Sequence, residues 1–193
     1  MQDSNNLFPV FLKLESLRLL IVGGGYAGME KLEAVLSNSP ATAITLVAAQ
    51  ISDAIKETAK SFPNIVLIEK PYDSNDLNNI DIVITAINDT VVSQQIVQDA
   101  KSKKILVNAA DKPELCDFYL SSVVKKGNLK IAISTNGKSP TIAKRVKEVL
   151  NETFPDEIDD LLNNMQNIRN KMSGDFAEKV KQLNELTKNL SKK

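Results

Sequence analysis

The sequence predicts an α/β fold built on a parallel β-sheet. Between residues 17 and 110, short segments rich in Ile, Leu and Val alternate with longer segments whose apolar residues recur at helical spacing. Parallel strands are joined by right-handed crossover helices, which cover both faces of the sheet. The alternation therefore predicts a sheet that is buried on both sides.

Each predicted element ends at a recognisable break. Gly23 stops the first strand of the alternation, and Asn38-Ser39-Pro40 stops the helix that follows it. One further strand is expected ahead of the alternation, at residues 7–13. The five strands and three helices of the alternation are expected, in chain order, at residues 19–22, 27–36, 44–48, 54–62, 65–69, 80–86, 91–100 and 105–110.

The pattern changes beyond residue 110. Residues 118–124 and 129–134 are expected to form two strands joined by a turn. Ser139-Pro140 then opens a helix, since Ser caps helices well and Pro loses nothing at the first helical position. This part of the chain is therefore predicted to be a small α/β segment with a different organisation.

The last forty or so residues are predicted to be helical and amphipathic. Their two apolar stripes need the body of the protein or a second subunit to cover them. We therefore divide the chain into residues 1–113, residues 114–150 and residues 151–193. The stripes consist of Ile158, Leu161, Leu162, Met165, Ile168 and Met172, and of Phe176, Val180, Leu183 and Leu190.

Composition excludes several classes of site. The 193 residues include no His, so a Ser-His-Asp site and a His-ligated zinc site are excluded, and the single Cys116 excludes a four-cysteine metal site. The 24 basic residues balance the 24 acidic ones, which gives no electrostatic signature of nucleic-acid or membrane binding. With no apolar run of ~20 residues and no signal-peptide pattern, we expect a cytoplasmic protein without a resident metal.

The strongest local motif is the glycine-rich turn at Gly23-Gly24-Gly25-Tyr26-Ala27-Gly28. It matches G-x-G-x-x-G and lies directly between an apolar strand and a helix. Gly23 would allow the tight turn, Gly25 would let a pyrophosphate approach the backbone, and Gly28 would allow close helix–strand packing. The motif predicts a Rossmann-like NAD(P)-binding sheet, against the alternative of a merely structural glycine turn.

The second strand lacks the acidic residue that usually holds the adenosine ribose in such sites. It ends in Val47-Ala48-Ala49-Gln50, where Gln50 offers an amide that could bond a ribose hydroxyl. No Arg lies beside Gln50 to favour a 2′-phosphate. The residues therefore leave the choice between NAD and NADP open.

Polar residues also follow the fourth and fifth strands, at the edge where ligands bind in open parallel sheets. Thr85 and Asn88 lie in the first group and are expected to contact the cofactor. Asn108 and Asp111 lie in the second, where Asn108 is expected to contact the substrate. These residue types also serve as turn and cap residues, so an ordinary turn is an equal alternative at Asp111.

A third polar group precedes the helix that begins at Pro140. Ser134, Thr135, Lys138 and Ser139 place hydroxyls and a cation at a helix N-terminus, which suits a carboxylate or phosphate. A plain capped helix is the simpler alternative.

Five motifs in order make the chain resemble the siroheme-synthase family of precorrin-2 dehydrogenases, many of which are also sirohydrochlorin ferrochelatases. They are FPVFLKLES-LRLLIVGGG with Lys31, TAIND, VNAADKP, IAISTNGKSP and TIAKRVKE, between about Leu7 and Leu150. The resemblance implies a Rossmann-like NAD domain, a dimerisation segment over residues 114–150 and a helical C-terminal region. It also implies a homodimer that oxidises precorrin-2 to sirohydrochlorin with NAD⁺.

The resemblance also implies roles for single residues. Asp111, beside Asn108, matches the catalytic aspartate of the family, and Thr135 matches its substrate-side hydroxyl. The matching nucleotide contacts are Tyr26, Ala27, Ala49 and Gln50. The chain departs from the family pattern at Gly28, where Ala is common, at Glu30, where a basic residue is usual, and at Thr135-Asn136, which replace Ser and Gly.

The implied substrate carries many acetate and propionate groups, for which Lys138, Lys144 and Arg145 would supply cations. Whether the chain also inserts Fe²⁺ into sirohydrochlorin is not distinguished by these residues. Two alternatives are an NAD(P)-binding regulatory module and a small NAD(P)-dependent reductase of another substrate. The first usually has the missing acid of the second strand, and the second usually has a Tyr-x-x-x-Lys or a catalytic His.

Overall fold

The computed structural model describes residues 4–188, which form two compact units. One unit comprises residues 6–120, and the other comprises residues 121–188 together with residues 4 and 5. The three-part division after residues 113 and 150 stays a prediction. No helix within residues 4–188 is long and apolar enough to cross a bilayer.

The first unit is a five-stranded parallel sheet, which confirms the predicted α/β fold. Its strands are ordered β3-β2-β1-β4-β5. The strands are β1 (Arg18–Val22), β2 (Ala43–Ala48), β3 (Ile65–Glu69), β4 (Ile82–Thr85) and β5 (Leu106–Ala109), and the helices between them are α1 (Tyr26–Asn38), α2 (Asp53–Lys60) and α3 (Thr90–Ser102).

The direction of strand order reverses at β1. The chain proceeds from β1 to β2 and β3 on one side, and then returns to place β4 on the other side of β1. The loops that leave β1 and β4 therefore diverge, which opens a crevice at the carboxyl ends of these strands. This is the edge at which the sequence predicts the nucleotide site.

Both faces of the sheet are buried, as the apolar strands predict. On one face Leu19 and Ile21 of β1 pack with Leu32 of α1, and all three are almost fully buried. On the other face Leu20 of β1 packs with Ile96 of α3. Alternate side chains of one central strand thus anchor helices on opposite sides of the sheet.

The second unit contains a hairpin and three helices. Strands β6 (Ser122–Lys126) and β7 (Leu129–Ile133) pair antiparallel. Asp159 holds their turn, because its Oδ1 accepts hydrogen bonds from the main-chain N–H of Asn128 (2.7 Å) and from its Nδ2 (2.9 Å). The helices are α4 (Pro140–Thr153), α5 (Ile158–Lys171) and α6 (Phe176–Thr187).

The predicted strand at residues 7–13 is wrong. These residues form no strand and are mostly exposed, with Phe8 86% and Phe11 68% exposed. An apolar segment forms a strand only when a partner strand is available for main-chain hydrogen bonds. This segment pairs with neither edge of the described sheet. The next prediction, residues 118–124, is displaced, since β6 begins only at Ser122.

The two C-terminal amphipathic helices are confirmed as α5 and α6, but neither contains a fully buried residue. Phe176 at the start of α6 is 83% exposed. Within the described part of this unit, the apolar stripes are therefore only partly covered. Leu190, predicted to end the second stripe, lies outside the described residues.

Arg18 and Asp81 tie the amino ends of β1 and β4 together. Oδ2 of Asp81 accepts hydrogen bonds from the main-chain N–H of Arg18 (2.8 Å) and from its Nε (2.9 Å), and Oδ1 accepts one from Nη2 (2.9 Å). Hydrogen bonds from the side chain and then the main chain of Arg18 hold the pKa of Asp81 at about 2, against 3.8 for an ordinary Asp. The folded state therefore favours the charged carboxylate.

We expect Asp81→Asn to destabilise the protein at neutral pH and to have less effect in acid. Because the folded-state pKa of Asp81 lies below the unfolded-state value, its stabilising effect is complete above about pH 4 and is lost as the pH falls towards about 2. Urea unfolding of both proteins, from neutral pH down to about pH 3, measures the difference. A difference in unfolding free energy that stays constant over that range would contradict this role.

Candidate active site

A cleft of about 350 Å³ lies at the carboxyl ends of the central strands. Its floor includes Gly23 and Gly24, which directly follow β1, and one wall includes Ala49 and Gln50, which follow β2. The remaining lining residues are Val22, Ala48, Pro71, Tyr72, Ile87, Asp89 and Val92. The cleft is therefore located where the strand order reverses.

Three glycines of the turn allow close backbone packing. A Cβ at Gly24 would collide with the carbonyl oxygen of Gln50, and a Cβ at Gly28 would collide with that of Gly23. Gly23 itself has a φ of +136° and lies against the carbonyl oxygen of Ala86. Side chains at these positions would force the ends of β1, β2 and β4 apart.

Gly25 differs from these three glycines. A Cβ at Gly25 would meet no atom within 4 Å, so the protein itself does not require Gly there. Gly25 is the N-cap of α1 and supplies no side-chain cap, so no cap hydrogen bond occupies the leading N–H groups of this helix. Open space beside uncapped N–H groups at the positive end of a helix dipole fits a phosphate group. This turn therefore fits the pyrophosphate of a dinucleotide.

The structure brings only some of the predicted nucleotide-binding residues to the cleft. Gly23, Gly24, Ala49 and Gln50 line it, whereas Asn88 does not. The other predicted contacts lie at the glycine turn or at the end of β4. Gly25, Tyr26, Ala27 and Gly28 form the turn and the first turn of α1, and Thr85 ends β4.

Thr85 is buried, and its Oγ1 has no hydrogen-bond partner among the described residues. Asp89, on the loop that follows β4, lines the cleft and caps α3. Oδ1 of Asp89 accepts hydrogen bonds from the main-chain N–H groups of Val91 (2.9 Å) and Val92 (3.1 Å).

Sequence reasoning missed Pro71 and Tyr72, which line the cleft just after β3. The hydroxyl of Tyr72 donates a hydrogen bond to Oδ2 of Asp99 (3.0 Å). Burial, and then the hydrogen bond to Asp99, raise the pKa of Tyr72, so the phenol stays neutral and fixed. The sequence could have indicated them by position alone, because Pro71 and Tyr72 come just after the carboxyl end of a predicted parallel strand, where ligands bind.

Asp111 lies on the loop after β5. It is exposed and adopts a φ of +58°, a left-handed conformation that is uncommon for residues other than Gly. The main-chain N–H of Ala110 donates to the carbonyl oxygen of Thr85 (2.9 Å), which ties this loop to the end of β4. The Asp111 carboxylate is thus presented at the same edge of the sheet as the cleft.

Asn108 faces the interior and is only 6% exposed. Its Nδ2 donates to the carbonyl oxygen of Phe118 (2.8 Å) and to Sγ of Cys116 (3.6 Å). The side chain therefore connects β5 to the segment that follows the Asp111 loop. Its predicted contact with a substrate is untested.

In the second unit, the loop before α4 is closed by its own hydrogen bonds. Oγ1 of Thr135 accepts from the main-chain N–H of Ser139 (3.2 Å) and donates to its carbonyl oxygen (3.1 Å). Oγ of Ser134 accepts from the N–H of Asn136, which has a φ of +54°. Asn tolerates this conformation better than most residues, so it can replace a Gly there.

The predicted cap of α4 is confirmed, since Oγ of Ser139 accepts a hydrogen bond from the N–H of Ile142 (3.2 Å). Lys138 and Lys144 are exposed, and Arg145 pairs with Glu148 at 2.7 Å. Within residues 4–188, no group of three or more His, Cys, Asp or Glu side chains could hold a metal ion.

Two family models match the chain. The model described as "Putative NAD(P)-binding" matches residues 10–122, and the model described as "Sirohaem biosynthesis protein central" matches residues 126–152. The first match covers the whole parallel sheet, and the second covers β7 and most of α4.

Curated relatives extend this similarity. The chain is 35% identical over 176 residues to a siroheme synthase of Psychrobacter sp. (strain PRwf-1), which covers 91% of this chain and 34% of that protein. It is 33% identical to the siroheme synthase of Psychrobacter cryohalolentis, with 91% and 32% covered. The chain thus spans about a third of the length of these curated relatives.

One solved structure matches almost the whole chain. This structure, described as "SirC, precorrin-2 dehydrogenase", has a TM-score of 0.73 and 27% sequence identity, and the match covers 96% of this chain and 94% of that one. The likeness therefore includes both units and not only the nucleotide-binding sheet.

We expect Gly25→Ala to weaken dinucleotide binding while leaving the fold intact. The φ of −95° at Gly25 suits Ala, so the free energy of unfolding should fall by no more than about 1 kcal/mol. The added methyl group fills the space beside the N–H groups of α1, so the Kd for NADH should rise at least about tenfold. Fluorescence titration with NADH and urea unfolding measure the two effects.

Gly28→Ala is the matched control. Its methyl group would meet the carbonyl oxygen of Gly23, so this variant should lose about 1–3 kcal/mol of stability. Gly25→Ala binding NADH as tightly as the wild type would show that no phosphate lies against this turn.

Proposed function

Because the chain belongs to the siroheme synthase N-terminal family, we propose that it is a dehydrogenase that oxidises precorrin-2 to sirohydrochlorin with NAD⁺. The observation that carries this proposal is the whole-chain likeness to a precorrin-2 dehydrogenase. The cleft at the glycine turn supports it independently, since its residues fit a nicotinamide dinucleotide.

The dinucleotide would be held by main-chain groups and apolar walls. The turn at Gly25 and the N-terminus of α1 would bind the pyrophosphate, and Tyr26 and Ala27 belong to that first turn. Ala49 and Gln50 would hold the adenosine ribose beside Pro71 and Tyr72. When bound, the nicotinamide accepts a hydride from the substrate.

The lining of the cleft favours NAD over NADP. It contains the carboxylate of Asp89 and no Lys or Arg among the described residues. The nearest basic residues in sequence are already paired, Lys56 with Glu69 (2.9 Å) and Lys70 with Asp76 (2.7 Å). A 2′-phosphate would therefore find no cation among the residues that line the cleft.

Asp111 would accept the proton that leaves with the hydride. Removing two hydrogens from the macrocycle sends one hydride to the nicotinamide and one proton to a base. The Asp111 carboxylate is exposed at the carboxyl end of β5 and is fixed on a left-handed turn. The proposed base would thus lie on a loop at the same edge of the sheet as the cofactor cleft.

The proposed substrate is a polyanion, and the second unit offers cations and a helix N-terminus to bind it. Lys138, Lys144 and Arg145 would bind its acetate and propionate groups, together with Ser134, Thr135 and the N-terminus of α4. We further propose that the protein is cytoplasmic and that it forms a homodimer. In the dimer, a second copy of the chain would cover exposed apolar residues of α4 such as Ile142 and Val149. Insertion of Fe²⁺, with the macrocycle supplying the nitrogen ligands, is a separate activity that needs its own assay.

We expect purified protein to reduce NAD⁺ on addition of precorrin-2 under anaerobic conditions, and Asp111→Asn to lower kcat at least about 100-fold. Asn tolerates the left-handed backbone and has the shape of Asp, so this variant removes the base without disturbing the loop. Absorbance of NADH and of sirohydrochlorin follows the reaction.

The controls separate the alternatives. Asp111→Asn should bind NADH like the wild type, and NADP⁺ should support much slower turnover than NAD⁺. Dinucleotide binding with no oxidation of precorrin-2 by the wild type would instead favour a regulatory module or another reductase. Full activity of Asp111→Asn would remove Asp111 from its proposed role.

A further inference from the structure

We propose that the thiol of Cys116 is a positioning group for the Asp111 carboxylate, because it holds both ends of the loop that carries Asp111. The inference deepens the proposed dehydrogenase function and rests on it for its activity readout. Cys116 would not touch the substrate or the cofactor, and would act only through the loop.

The thiol contacts the loop on both sides of Asp111. Sγ of Cys116 lies 3.2 Å from the carbonyl oxygen of Ala109 and 3.3 Å from that of Lys112, within donor distance of each. The main-chain N–H of Ala109 in turn donates to Sγ at 3.2 Å. One side chain thus connects the residue that ends β5 to the residue that follows Asp111.

The loop needs such a restraint. Asp111 adopts a φ of +58°, a left-handed conformation that is less favourable than the usual backbone regions for a residue with a Cβ. Within the loop, one main-chain hydrogen bond, from the N–H of Lys112 to the carbonyl oxygen of Ala109 (3.2 Å), closes the turn. The thiol accordingly reinforces a turn whose conformation is not the backbone's own preference.

The segment that carries Cys116 is itself fixed along β5. The main-chain N–H of Asp117 donates to the carbonyl oxygen of Val107 (2.8 Å), and the N–H of Val107 donates to Oδ2 of Asp117 (3.0 Å). Asn108 bonds the carbonyl oxygen of Phe118 at 2.8 Å. Because these hydrogen bonds hold the segment of Cys116 against β5, the thiol can restrain the Asp111 loop relative to the sheet.

The Cys116 thiol remains protonated and can therefore act as a hydrogen-bond donor. Burial raises the pKa of Cys116, so the group keeps its proton at neutral pH. A thiolate has no proton to donate to the carbonyl oxygen of Ala109 or of Lys112.

Cys116→Ala tests the proposal, with Cys116→Ser and Ile44→Val as companions. Ser restores a donor and acceptor at the same position. Ile44→Val also removes one buried heavy atom, but at the amino end of β2 on the opposite face of the sheet. All four proteins are assayed with precorrin-2 and NAD⁺ well below their melting temperatures.

The proposal predicts a fall in kcat of about tenfold or more for Cys116→Ala with the KM for NAD⁺ unchanged, since a misplaced catalytic group slows the chemical step. Cys116→Ser should recover a large part of the activity, and Ile44→Val should keep all of it. Equal kcat values for Cys116→Ala and Ile44→Val would show that the thiol only packs, and would overturn the proposal.

A second readout does not depend on activity. Hydrogen exchange measured by NMR should be at least about tenfold faster at the Lys112 and Ala109 amides in Cys116→Ala than in Ile44→Val. An inactive wild type would defeat the proposed function, whereas unchanged exchange at these amides would defeat the positioning role. The two failures are therefore distinguishable.

Discussion

The close approach of main chains at the end of β1 is the constraint on which the candidate site depends. Gly24 packs against the carbonyl of Gln50, and Gly28 packs against the carbonyl of Gly23, with no room for a side chain at either contact. Together with the contact between Gly23 and the carbonyl of Ala86, these contacts bring the ends of β1, β2 and β4 to one place, where α1 also begins. Only Gly25 has free space around it, which is what a ligand at a helix N-terminus requires.

The same sheet edge also carries Asp111, the proposed base. Hydrogen bonding between Ala110 and Thr85 joins the Asp111 loop to β4, whose neighbour β1 runs directly into the glycine turn. Cofactor binding and the candidate base are thus supported by adjacent strands. A rigid parallel sheet can in this way fix two groups that come from distant parts of the sequence.

The sequence predicted the sheet well because each of its strands is a short, largely apolar run with a clear break after it. Residues 65–69 have the same bounds in the structure as in the prediction. Residues 7–13 have a similar composition but no partner strand, and pairing cannot be read from one segment alone. Pro71 and Tyr72 line the cleft because of how the strands are arranged in the sheet, which no local pattern shows. The contacts of the Cys116 thiol likewise depend on the path of the chain back along β5.

A crystal structure of the protein with NADH would test the central claim most directly. We expect the pyrophosphate oxygens within about 3.2 Å of main-chain N–H groups in the first turn of α1, directly beside Gly25. The nicotinamide ring should lie towards the ends of β4 and β5, with the Asp111 carboxylate on the loop next to it. A dinucleotide bound away from Gly25, or a nicotinamide ring turned away from the β5 end of the sheet, would contradict the account.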